Sequence, residues 1–234
     1  AAVLSDWKGG GLEGVDEFVE GYKHDPKMDF HTMVAEMADI PRKSAKTINL
    51  AMMYGMGVTK LSHQLDISLD EAKDLTKQYH KRVPFVKQLM QGVSRRLEDA
   101  RSNGSVRSLK GRKCRFDLWE PKGFEMKKAL PKEEALVTYG QTTQLKRAFT
   151  YKALNRLIQA SAADMTKQAM VNLYNQGITP LLQIHDELDC SVKDIDAARE
   201  IARSMETALE LRVPSKCDID LGPSWGEAKE VKYV

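Results

Sequence analysis

The stretch Arg42-Lys43-Ser44-Ala45-Lys46-Thr47-Ile48-Asn49-Leu50-Ala51-Met52-Met53-Tyr54-Gly55 constrains this chain most, because a helix of this sequence puts Arg42, Lys46, Leu50 and Tyr54 along one face. At about 3.6 residues per turn, steps of four drift slowly around the axis, so two cations, an apolar residue and an aromatic ring form one ladder. The cations suit a triphosphate and the ring suits a base. Pro41 stands where a helix can begin, and Gly55 and Gly57 stop it. Taken alone, an Arg/Lys pair at this spacing is more often a solvated basic stripe on an amphipathic helix.

Far downstream, Leu181-Leu182-Gln183-Ile184-His185-Asp186-Glu187-Leu188 sets adjacent carboxylates against an apolar run. The pattern predicts strand, hairpin and strand. At such a turn Asp186 projects toward solvent, where a carboxylate is a ligand for a hard cation such as Mg²⁺. Polar turn residues between strands are ordinary, so this tripeptide too has a structural reading.

Together and in order, these segments resemble the C-terminal part of a family A (DNA polymerase I-like) DNA polymerase of bacterial or phage type. Arg42, Lys46 and Tyr54-Gly55 fit that family's fingers helix, and His185-Asp186-Glu187 fits its palm motif. Between them, Gly104-Ser105-Val106-Arg107-Ser108-Leu109-Lys110-Gly111-Arg112-Lys113 looks like the family's hairpin of glycine, aliphatic and arginine residues. Asn155 with Gln159-Ala160-Ser161-Ala162-Ala163-Asp164 looks like its palm helix. Asp29-Phe30-His31-Thr32 resembles the segment before the fingers helix, and Gly222-Pro223-Ser224-Trp225 its terminal palm strand.

The resemblance implies an α+β fold: mainly helical fingers joined to part of the antiparallel palm sheet of a right-hand polymerase. It implies a lead-in over residues 1–30, fingers over 31–146 and the C-terminal part of the palm over 147–234. It further implies primer extension with Mg²⁺ and deoxynucleoside triphosphates (dNTPs) on primer-template DNA. Asp186 would bind the metal, assisted by Glu187. His31, Arg42 and Lys46 would hold the triphosphate, with Lys46 also catalytic as the proton source for the leaving pyrophosphate. Leu50 would face the sugar and Tyr54 the templating position. Asn155 and Gln159 carry donors and acceptors suited to minor-groove edges, His185 would touch the primer end, and Arg112 would contact DNA.

Two positions depart from the family. Leu50 stands where the commonest members carry Phe or Tyr, and Tyr151 where bacterial members usually carry Arg. The family's first catalytic carboxylate lies in a strand reading roughly Asp-Tyr-Ser, two residues, Glu-Leu-Arg, and no such segment occurs here. The expectation is therefore a two-metal site completed by an upstream polymerase chain carrying the thumb and first palm motif, with Asp6 as a helix-start acid rather than a substitute ligand.

Charge distribution agrees with a polyanionic partner. Residues 101–156 hold 14 Lys/Arg against 5 Asp/Glu within a chain of net charge +3, the footprint of a phosphate-backbone surface or of a solvated basic patch. Cys114, Cys190 and Cys217 are odd in number and irregularly spaced, which argues against a disulfide framework and for a reducing compartment; the resemblance implies that this is the cytoplasm of a bacterium or phage-infected host. No apolar stretch approaches the length of a bilayer span, so no membrane role is expected.

Breakers and caps predict further helices. Ser68-Leu69-Asp70-Glu71 reads as a capping box opening a helix that carries Tyr79. Others are expected over about Pro84–Ser102, Arg147–Asn175 and Asp194–Arg212, with short strands near Val106 and Cys114. Residues 117–146 receive no functional assignment. The alternative functions are a non-catalytic nucleotide- or DNA-binding fragment, and a relative of the single-subunit RNA polymerases.

Overall fold

The structure, a computed structural model, describes residues 11–25, 29–38, 40–123 and 128–231. The expected role of Asp6 lies outside the described residues. Contacts divide the described chain into two compact units, one of residues 11–15 and 29–158, the other of residues 16–25 and 159–231.

In the first unit, α2 (Phe30–Ala38) packs along α3 (Arg42–Met53), followed by α4 (Val58–Leu65), α5 (Leu69–Arg82) and α6 (Pro84–Glu98). The earlier α1 (Val15–His24) belongs, past its first residue, to the second unit. Helix α5 starts as its sequence demands: the Ser68 hydroxyl accepts from the Glu71 N–H, and the Glu71 carboxylate accepts from the Ser68 N–H. Such a reciprocal cap satisfies two N–H groups that have no intrahelical partner. Leu89, Val93 and Leu97 on α6 form the core of this unit with Val106, Phe116, Ala153, Leu154 and Leu157. All are almost fully buried.

Helix α6 ends at Glu98, sooner than the expected run to Ser102. The Asp99 carboxylate accepts from the Arg101 N–H, and a 3₁₀ turn over Ala100–Ser102 follows. A local side-chain bond of this kind competes with helix propagation. The chain then forms the antiparallel hairpin β1 (Ser105–Arg107) and β2 (Lys113–Arg115).

The unassigned stretch folds into a three-stranded antiparallel sheet in the order β4 (Leu130–Pro131), β3 (Leu118–Pro121), β5 (Leu145–Arg147), with α7 (Lys132–Tyr139) between β4 and β5. Trp119 anchors it through two cations, Arg147 at 4.5 Å and Lys132 at 5.3 Å from the ring centre. This explains why helix α8 (Ala153–Asn175) starts later than the expected Arg147. Arg147 is paired with Trp119 in the sheet and donates to the Phe116 carbonyl at 2.7 Å, and Phe149 at φ 59° redirects the chain before a 3₁₀ turn over Thr150–Lys152.

The second unit contains most of α8, the hairpin β6 (Leu182–Ile184) and β7 (Glu187–Asp189), α9 (Ile195–Glu206), and the pair β8 (Ile219–Leu221) and β9 (Lys229–Val231). Asp194 caps α9 by accepting from the Ala197 N–H, and the helix stops at Glu206, short of Arg212. The Gly222-Pro223-Ser224-Trp225 segment is not a strand. It bridges β8 and β9, and a Cβ on Gly222 would stand 2.6 Å from the Glu227 carbonyl oxygen, so the connection closes on itself. The four sheets found among the described residues are small and antiparallel beside long helices, the α+β class expected. No helix among the described residues is long and apolar enough to cross a membrane.

Candidate active site

Helix α3 is amphipathic, and its burial pattern separates core side chains from surface ones. Ala45, Ile48, Asn49, Ala51 and Met52 are buried, whereas Arg42, Lys46, Leu50 and Tyr54 are exposed. The four-residue ladder is therefore the solvent row of the helix. Beyond the C-cap Tyr54, Gly55 takes a left-handed φ of 65°.

Helix α2 brings His31 into the field of Arg42 and Lys46. Burial pushes the His31 pKa below its ordinary value; Asp29 opposes this, and the two cations push it further down. The ring is therefore neutral near pH 7 and can donate only from the nitrogen that carries its proton. Its Nδ1 lies 2.8 Å from Nδ2 of Asn49. Asp29 begins the same turn: its carboxylate accepts from the His31 N–H and the Thr32 hydroxyl, both at 2.9 Å, and from Nε of Arg42 at 2.5 Å. The Arg42 guanidinium first, then Thr32, holds the Asp29 carboxyl at a pKa of about 2.

In the second unit, Ile184 pairs with Glu187, leaving His185 and Asp186 as a two-residue turn. His185 adopts φ 54°, a region that few residues other than Gly, Asn, Asp and His enter, and Nε2 of Gln183 donates to its carbonyl at 2.6 Å. That strained turn holds Asp186 and Glu187 exposed at the tip. The Cys217 thiol is pushed up to about 11, mainly by burial and then by Glu206, Asp218 and Asp186. Asp186 and Glu187 offer the hard oxygen donors that Mg²⁺ prefers. Among the described residues, however, no three His, Cys, Asp or Glu side chains come together as a metal cage.

Asn155 is half-buried and Gln159 exposed, one turn apart on α8. Arg112 lies on the β1–β2 loop, where its N–H donates to the Ser108 hydroxyl and its carbonyl accepts from the Ser108 N–H. Arg107, Lys110, Arg112, Lys113 and Arg115 on this hairpin are all exposed. The result is a cationic ribbon of the kind that lies along a phosphate backbone.

A profile of DNA polymerase family A matches residues 16–227. The chain belongs to that family. Among its relatives, a DNA-directed DNA polymerase of Pseudomonas phage M6 is 32% identical over 88% of this chain and 32% of its own length. The thermostable DNA polymerase I of Thermus aquaticus is 31% identical over 86% of this chain and 24% of its own. A solved structure, the POL domain of Pol1 from M. smegmatis in complex with DNA primer-template and dNTP, superposes with a TM-score of 0.63 at 25% identity, over 91% of this chain and 35% of that one. The chain thus spans a quarter to a third of the length of these curated relatives.

Within this family A chain, the structure brings His31, Arg42 and Lys46 together in the first unit and His185, Asp186 and Glu187 together in the second. Two residues of the first cluster received no role from the sequence. Asp29 shows a usable signal, an acid three residues before Thr32 at a helix start. Asn49 shows another, an amide on the inward face of an otherwise apolar helix.

Proposed function

We propose that this chain supplies the fingers, residues 31–146, and the C-terminal part of the palm, residues 147–234, of an enzyme that extends a DNA primer on a template. The observation that carries this reading is the cluster on α2 and α3, where a neutral His31 shares one field with Arg42 and Lys46. The relatives support it by name, and the M. smegmatis neighbour, solved with primer-template and dNTP, supports both ligand assignments.

The triphosphate lies along the exposed row of α3. The planar Arg42 guanidinium grips phosphate oxygens, and the Lys46 ammonium stands by the leaving pyrophosphate to which it gives its proton. His31 adds a neutral donor, Leu50 fills the space beside the sugar, and Tyr54 stacks at the templating position. The primer 3′-hydroxyl loses its proton to solvent and attacks the α-phosphorus as the bond to pyrophosphate breaks. His185 steadies the primer end, Asn155 and Gln159 meet minor-groove edges, and Arg112 with its hairpin meets backbone phosphates. Asp186, assisted by Glu187, would hold Mg²⁺, with a further carboxylate coming from outside the described residues; once bound, the metal would supply Lewis-acid activation of the primer hydroxyl and charge stabilisation at the leaving oxygen. This work belongs to a bacterial cytoplasm or an infected host, a reading that the bacterial and phage sources of the relatives support. None of the observations favours the RNA polymerase reading.

Lys46→Ala in the polymerase that contains this chain tests the assignment. Loss of a preorganised charge at the leaving group costs about 10²–10³ in rate, read by single-nucleotide primer extension with the fold checked by circular dichroism. An unchanged rate removes Lys46 from the mechanism, and equal use of ribonucleotides would revive the RNA polymerase reading.

A further inference from the structure

Asn49 is almost fully buried at 3% exposure, on the inward face of α3 beside Ala45, Ile48 and Met52. A polar side chain among such neighbours is costly unless it is hydrogen-bonded. Its Nδ2 meets the His31 Nδ1 at 2.8 Å, while its Oδ1 has no hydrogen-bond partner among the described residues. The amide has a preferred orientation. Turned over, its Oδ1 would accept from Nδ1–H, but both amide hydrogens would then occupy the site where Oδ1 now finds no partner. As placed, the amide leaves Oδ1 and one N–H hydrogen unmet, whereas turned over it would leave both N–H hydrogens unmet, and a buried orphan donor is the rarer and costlier of the two.

We propose that Asn49 is a positioning residue for His31: by donating to Nδ1 it holds the ring in the tautomer whose Nε2–H is presented to a triphosphate oxygen. The triphosphate half of this proposal rests on the polymerase reading above. The groups facing the ring fit a neutral donor. Asp29 alone favours the imidazolium, whereas burial, Arg42 and Lys46 oppose it. The Asp29 carboxylate, which bonds the His31 backbone N–H, is also committed to Thr32 and Arg42. With Nδ1 taken, Nε2 is the nitrogen left for a ligand.

Nitrogen-15 NMR of the histidine-labelled chain reads the tautomer without any assay of activity, the His31 signal being assigned through a His31→Gln variant. The parent is expected to carry its proton on Nε2. Asn49→Asp should move the proton to Nδ1 and raise the His31 pKa by about one unit or more, and Asn49→Leu should raise it less, since the neutral form loses its donor. An Nδ1–H parent, or folded variants in which tautomer and pKa stay put, would overturn the proposal. If both variants unfold, the parent spectrum still decides. In the polymerase that contains this chain, Asn49→Leu should raise the KM for dNTP about fivefold, the value of one net hydrogen bond, with kcat nearly unchanged and no added effect on a His31→Ala background. A confirmed tautomer with an unmoved KM would leave Asn49 positioning His31 and overturn the role of His31 in triphosphate binding.

Discussion

Asp29 and Arg42, thirteen residues apart, are joined as one unit: Nε of Arg42 donates at 2.5 Å to the carboxylate that also caps the first turn of α2. The pairing gives helix α2 and the start of helix α3 a shared, pH-sensitive tie. The Asp29 carboxyl is held at about 2 by Arg42 and then Thr32, below the ordinary value of about 3.9 for an unfolded chain. A depressed carboxyl stabilises the fold fully above its unfolded pKa and loses that contribution as pH falls through its folded one. Asp29→Asn should therefore lower the melting temperature at pH 6 and make progressively less difference between about pH 4 and pH 2. Thermal melts of parent and variant across that range check this; a gap of constant size at pH 2 would show that the carboxylate charge is not what stabilises.

Gly55 ends α3 against the backbone that leads into α8. Its φ is 65°, and a Cβ there would stand 2.9 Å from the Tyr151 carbonyl oxygen. Backbone cannot swing aside as a flexible side chain can, so Gly55→Ala combines a left-handed penalty with a steric one. We expect a loss of about 1–3 kcal/mol in unfolding free energy, measured by urea titration. Gly57→Ala, with nothing within 4 Å, serves as the control and should change stability far less.

The contrast between these two glycines also shows what could be read from the chain. Periodicity announced α3 and its exposed row, Ser68 and Glu71 announced a cap, and His185-Asp186 announced a turn, because each depends on neighbours in sequence. The Arg42–Asp29 and Asn49–His31 contacts were not legible, since they depend on how α2 packs on α3. The late start of α8 was hidden for the same reason: local propensity favours helix from Arg147, but the Trp119 ring and the Phe116 carbonyl claim that side chain. Residues 117–146 showed charge, Pro and Gly without a period, and their sheet is held by pairings that span up to 28 residues.

Leu50 is 40% exposed in the row between Lys46 and Tyr54. On the proposed reading, an aliphatic side chain there would shape the sugar pocket but offer no hydrogen bond. Leu50→Tyr adds a hydroxyl where a dideoxynucleotide lacks its own, and one net hydrogen bond of about 1 kcal/mol should increase dideoxynucleotide use about fivefold relative to dNTP. Chain-termination ratios measure this directly. Equal ratios in parent and variant would mean that Leu50 does not face the sugar.

The hairpin tip sets the last prediction. Two divalent cations bring four positive charges to a small volume, and Mg²⁺ demands near-octahedral oxygen donors, usually bridged by more than one carboxylate. The described residues offer Asp186 with Glu187 beside it and gather no third acidic, His or Cys donor. On the proposal that a further carboxylate comes from a separate polypeptide, the purified 234-residue chain should bind Mg²⁺ only weakly by calorimetry and fail to extend a primer. Adding a polypeptide that carries an Asp-Tyr-Ser-type strand should restore synthesis, and Asp186→Ala should abolish the restored activity while Asp220→Ala, on β8, leaves it near the parent level. Template-dependent extension by the chain alone, lost in Asp186→Ala, would show that the missing donor is already present in these residues.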